Sequence, residues 1–196
     1  MPEVMIPGLS SLVGQAAAEK TDSGIILLMS PPGGGKTLFC RKMILDSLQN
    51  GIACIYINSS MTRKEYQNLF NNITDEKIER LKFLNPYLVA SAKDSDTSTS
   101  MNDPKLSATL QEIQNNIDGW SSSVSDPNKG TTQESTSIQS DSPKYAIVLD
   151  SLTHMFTLFE EDKVLKFVNA LSFLIRELEA TALITMSGTQ SSNGAI

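Results

Sequence analysis

A short apolar run, Gly24 to Met29, leads directly into Ser30-Pro31-Pro32-Gly33-Gly34-Gly35-Lys36-Thr37, and no other stretch of the 196 residues constrains the fold as tightly. Apolar residues that stop at a Pro/Gly cluster read as a buried parallel strand entering a loop. Behind the loop, Leu38, Phe39, Met43, Leu45 and Leu48 recur at helical spacing, and Gly51 stands where a C-terminal cap is expected. A strand, a glycine loop and a helix N-terminus together present backbone N–H groups to an anion in a favourable dipole. Gly33, Gly34 and Gly35 allow close approach of phosphate oxygens, Lys36 reaches the β- and γ-phosphates, and the Thr37 hydroxyl suits Mg²⁺. ATP with Mg²⁺ is therefore the expected ligand, with Pro32 to Leu38 as the binding segment. The general pattern opens on Gly, and here Ser30 takes that place.

Downstream, strand and helix patterns alternate. Ile52 to Asn58 reads as a second strand. Thr62, with Glu65 three residues later, predicts a capping box on a helix reaching about Asn72. Lys82 to Leu84 is a short strand candidate. Leu106, Leu110, Ile113, Ile117 and Trp120 follow at steps of four and three, predicting an amphipathic helix over 105–120 whose stripe packs into the core. Tyr145 to Asp150 reads as a strand with an acid at its carboxyl end, Glu161 to Glu179 as a long helix, and Ala182 to Met186 as a last strand. This alternation implies an α/β fold, a mostly parallel sheet with helices on both faces, and ligands at the carboxyl ends of its strands. Asp150 is then expected beside the phosphates, where its carboxylate serves the Mg²⁺ shell and Ser151 assists.

Charge narrows the function classes. The net charge is −6, which argues against nucleic acid as a partner, since such affinity rests on clustered Lys and Arg. Between Ser91 and Ser142 eight acids face three lysines, so most of the imbalance sits there. Within that stretch 91–104 and 121–142 are dense in Ser, Thr, Asp and Asn and are expected to be disordered insertions in a single domain spanning 1–196. No apolar run approaches the roughly 20 residues of a membrane span. The first residues lack a secretory pattern, and Cys40 and Cys54 lie in apolar surroundings without metal spacing, so a cytoplasmic location is expected.

Several segments in order resemble the KaiC and RadA branch of the RecA superfamily of ATPases. Ile6-Pro7-Gly8-Leu9 is similar to the opening segment of KaiC-like domains, and Ser30 to Thr37 resembles their Pro-Pro-Gly phosphate loop. Asn50 to Ile57 resembles the following strand, Leu149-Asp150-Ser151-Leu152 the Asp-Ser motif, and Leu174 to Leu178 with Leu183 to Thr185 the next helix and strand. The resemblance implies a RecA-like P-loop core, often assembled into rings with ATP at subunit boundaries, and catalytic roles for Lys36 and Asp150. It also implies metal binding by Thr37 and Asp150.

Two departures bear on catalysis. KaiC-like ATPases carry glutamates just after the second strand as general bases, and this chain has Asn58-Ser59-Ser60-Met61. Related domains also continue past the last strand to bring basic residues toward a neighbour's ATP, whereas this sequence stops at Ile196.

Slow or partner-dependent ATP hydrolysis is the leading expectation. A non-hydrolysing, ATP-dependent signalling or interaction module is the alternative, and a small-molecule kinase is a third reading. A protein partner or self-association, as ring or dimer, is expected. Gln190 is a candidate γ-phosphate sensor, and His154 and Trp120 are read as structural.

Overall fold

The computed structural model describes residues 24–88, 103–124 and 145–188. Their elements run β1 (Gly24–Ser30), α1 (Lys36–Gln49), β2 (Ala53–Ile57), α2 (Arg63–Leu69), α3 (Asp75–Ile78), β3 (Leu81–Leu84), α4 (Pro104–Val124), β4 (Tyr145–Leu149), α5 (Leu152–Leu158), α6 (Glu161–Glu177) and β5 (Thr181–Ser187). The five strands form one sheet in the order β1-β5-β4-β2-β3. Every pairing is parallel, with Ser30 opposite Ser187, Leu149 opposite Ile184 and Ile57 opposite Leu149. A parallel sheet buried on both faces needs strands without polar alternation. All five residues of β2 and all five of β4 are buried accordingly.

Alternate side chains of these strands feed two cores. On one face Ile55, Ile57, Ile147, Leu149 and Ile184 pack with Leu106, Ile113 and Ile117 of α4 and with Val164, Phe167, Leu171 and Ile175 of α6. On the other, Cys54, Tyr56, Val148 and Leu183 meet Cys40, Met43, Ile44 and Leu48 of α1 and Tyr66 of α2. The two clusters hold the carboxyl ends of β1, β5, β4 and β2 at one edge, where the loop after β1 lies.

The structure revises several expectations. β1 is not a fully buried strand: it pairs only with β5 among the described residues, and Ile25, Leu27 and Met29 are 38%, 54% and 55% exposed. A continuous apolar run signals a strand but not whether it has one neighbour or two. The α4 helix extends to 104–124, taking in both borders of the polar segments; the rest of those segments lies outside the described residues. The helix after Thr62 ends at Leu69, not near Asn72, because Phe70 leaves the helical conformation as its cap. Its capping box forms as predicted, with Glu65 N–H donating to Thr62 Oγ1 and the Thr62 N–H to Glu65 Oε2. Trp120 stacks on Tyr145 at 6.3 Å between centroids, a packing role. The segments Ile6 to Leu9 and Gln190 lie outside the described residues.

Candidate phosphate and metal site

The loop between β1 and α1 has the shape that its three glycines predict. Gly35 precedes α1 at φ 76°, in the left-handed region, and gives the helix no side-chain cap. The first N–H groups of a helix have no intrahelical acceptor, so this end is left to serve an anion. Gly34 is needed for a different reason. A Cβ there would stand 2.6 Å from Ser30 Oγ and 3.0 Å from the Pro31 carbonyl oxygen. Ser30 thus fills space that the usual glycine leaves empty, and Gly34 makes room for it.

Lys36 folds across the mouth of this loop. Its Nζ donates to the carbonyls of Ser30 and Pro31, both at 2.9 Å, and to Ser30 Oγ at 3.3 Å. The Ser30 carbonyl also accepts the Gly188 N–H at 3.1 Å, so the ammonium is anchored to the β1–β5 junction. Beside the loop opens a cavity of about 360 Å³ lined by Leu28, Ser30, Gly34, Leu38, Phe39 and Lys42 among others. Leu38 is 66% exposed there.

One residue into the helix, Thr37 turns the other way. Its hydroxyl donates to Asp150 Oδ2 at 2.8 Å, across the end of the intervening strand β5. Asp150 follows β4, is buried, and receives donors on both oxygens. Thr185 of β5 donates to Oδ1 at 2.7 Å, while Tyr56 of β2 donates to Oδ2 at 3.0 Å. Asn58 Nδ2 donates to the Tyr56 hydroxyl at 2.9 Å and lies 3.4 Å from Asp150 Oδ2. Burial and the charge of Asp150 push the Tyr56 phenol up from its ordinary value, which keeps it protonated and donating. The Asp150–Ser151 peptide is cis.

Of the residues expected at this edge, Thr37 and Asp150 are in contact, whereas Lys36 turns to Ser30 and Pro31. Ser151 is used differently: its side chain accepts the His154 N–H as the N-cap of α5. His154 is half-buried on that helix, with its Nδ1 3.5 Å from Thr157 Oγ1. Tyr56, Asn58 as a donor, and Thr185 were missed. A visible signal existed for two of them, since Tyr56 and Asn58 are polar groups two apart in an apolar strand and so share a face.

The end of β2 is closed off. Asn58 Oδ1 accepts from the N–H groups of Ser60 and Met61 and from Ser60 Oγ, each at 2.9 Å. With its amide turned to Tyr56 and Asp150, the whole Asn58 side chain is committed to holding the loop. The nearest carboxylate in sequence, Glu65, is equally committed to the cap of α2.

The donors present suit Mg²⁺. A hydroxyl and a carboxylate are hard oxygen ligands, and Mg²⁺ keeps waters and substrate phosphates rather than a protein cage. Among the described residues there is no group of three or more His, Cys, Asp or Glu able to enclose an ion.

A glycine loop, a helix N-terminus and a strand-end carboxylate on a parallel sheet define a P-loop nucleotide-binding protein with a RecA-like core. Comparison with known proteins carries this to a family. The family model "ATPase: KaiC" matches residues 3–196, and the chain belongs to that family. Its fold resembles that of a KaiC-like protein from the hyperthermophilic archaeon Pyrococcus horikoshii, with a TM-score of 0.57 at 14% identity. The match covers 86% of this chain and 64% of the other, so the chain spans less than two thirds of that protein. No curated protein matches the sequence.

Proposed function

We propose that this chain, as a single domain, binds MgATP through Pro32 to Leu38 and Asp150, and hydrolyses it slowly or only with a partner. The carrying observation is the 2.8 Å contact between Thr37 and Asp150 at a helix N-terminus. Lys36 exchanges its loop carbonyls for β- and γ-phosphate oxygens, and the backbone of Gly33 to Gly35 lies close to the phosphates. Thr37 and Asp150 would hold Mg²⁺, which when bound neutralises phosphate charge.

The slow rate follows from Asn58. Hydrolysis needs a group that takes a proton from water, and an amide does not do so near neutral pH. An amide with all its hydrogen bonds spent also does little to orient a water molecule. This favours the second reading, a non-hydrolysing module in which ATP selects a conformation recognised by a protein partner or a second copy. No described helix is long and apolar enough to cross a membrane, and the two buried free thiols support a cytoplasmic setting.

The test is nucleotide binding measured beside phosphate release. Stoichiometric MgATP binding with release far below about 1 per second, the lower end of ordinary enzyme turnover, supports the proposal. Multiple turnover by the isolated protein within the ordinary range, lost in Asp150→Asn, overturns the slow-hydrolysis part.

A further inference from the structure

Resting on the reading of Asp150 as a metal carboxylate, we infer that Tyr56 and Thr185 are positioning residues that set the affinity of this site for Mg²⁺.

Tyr56 is fully buried in β2, and its ring meets Phe70 edge-on at 5.9 Å and Phe83 at 6.1 Å. The aromatic packing fixes where the hydroxyl ends up, and that place is Asp150 Oδ2. The phenol has one proton to give. Since it gives that proton to the carboxylate, its oxygen is the acceptor for Asn58 Nδ2, and the chain runs from Asn58 through Tyr56 to Asp150. Asn58 is itself held by Ser60 and Met61. A rigid row of groups thus starts in the loop after β2 and ends on one carboxylate oxygen.

The other oxygen is held by Thr185, on β5 between β1 and β4. Thr37 also donates to Oδ2, at 2.8 Å, and it sits on the helix that meets the ligand. Once Thr37 turns to an ion, Tyr56 and Thr185 still hold the two oxygens at 3.0 and 2.7 Å, with Asn58 Nδ2 in a longer 3.4 Å contact to Oδ2. Groups behind a metal ligand orient it and tune its basicity, and their loss lowers metal affinity by about 10- to 100-fold.

A fluorescent ATP analogue, titrated in EDTA and then across Mg²⁺ concentrations, reads the two contributions separately. Tyr56→Phe keeps the ring and its packing, and Thr185→Val keeps the shape of the side chain. Each should raise the Mg²⁺ concentration for half-maximal enhancement about tenfold while shifting metal-free affinity by less than about twofold. A melting curve confirms folding, and either variant alone decides the matter if the other does not fold. Unshifted Mg²⁺ midpoints in the folded variants, or equal losses with and without Mg²⁺, overturn the inference and leave the proposed function standing. Wild-type protein that binds no analogue under any condition removes the proposed function as well.

Discussion

Replacing Gly34 by alanine should weaken nucleotide binding through one identifiable collision, and removing the collision should restore part of it. The new methyl would lie 2.6 Å from Ser30 Oγ, 3.1 Å from Ser30 Cβ and 3.0 Å from the Pro31 carbonyl oxygen. Two of the three atoms belong to one side chain, and that side chain also accepts from Lys36 Nζ. Relief therefore displaces the lysine's anchor or the loop. Overpacking of this kind costs about 1–3 kcal/mol. If the cost falls on the loop's binding conformation, it corresponds to roughly a 5- to 150-fold rise in Kd. Ser30→Gly in the same chain deletes two of the colliding atoms and leaves only the Pro31 contact. The coupling between the substitutions should be at least about 0.5 kcal/mol, as for residues in direct contact. Gly35 is the control. A Cβ there meets nothing within 4 Å, but the residue sits at φ 76°, so Gly35→Ala weakens binding through backbone strain and Ser30→Gly does not rescue it. Kd values for the single and double variants, from calorimetry with MgATP, complete the comparison. Equal rescue at both glycines, or Gly34→Ala binding like wild type, would refute the steric reasoning.

Two other outcomes follow from local electrostatics and burial. The Thr62 N–H and hydroxyl hold the Glu65 carboxyl below its ordinary value, so the folded state binds that proton less tightly than the unfolded chain does. The contribution is complete above the unfolded value and is lost as pH falls through the depressed folded one; Glu65→Gln should flatten that part of the melting temperature against pH, and an unchanged slope counts against the capping box. Burial raises both thiols, Cys54 to about 12 and Cys40 further still with help from the charge of Asp150. A disulfide reagent at pH 8 should therefore label neither in the native protein and both in urea, and fast native labelling would show that the α1 face of the sheet is open.

The parts legible in sequence were those set by local rules. A glycine loop between a strand and a helix, a Thr-x-x-Glu cap and a stripe of Leu106, Ile113 and Ile117 each state their structure within a few residues. Asp150 was also legible, because a strand-end acid in a parallel sheet must emerge at the loop edge. What was not legible depends on neighbours far along the chain. The exposure of Leu27 and Met29 depends on β1 pairing only with β5 among the described residues. The short helices α3 and α5 carry no periodic pattern long enough to read. Tyr56 and Asn58 share a face of β2, but what that face meets shows only once β2, β4 and β5 are side by side, which brings the hydroxyls of Tyr56 and Thr185 to the same carboxylate.

Whether Lys36, Thr37 and Asp150 form a nucleotide site is decided by calorimetry of the wild type beside Lys36→Ala. Saturable MgATP binding by the wild type is expected, with loss of that signal when the Nζ that now bridges Ser30 and Pro31 is removed. A wild type that binds no MgATP, or a Lys36→Ala variant that binds it equally well, would contradict it.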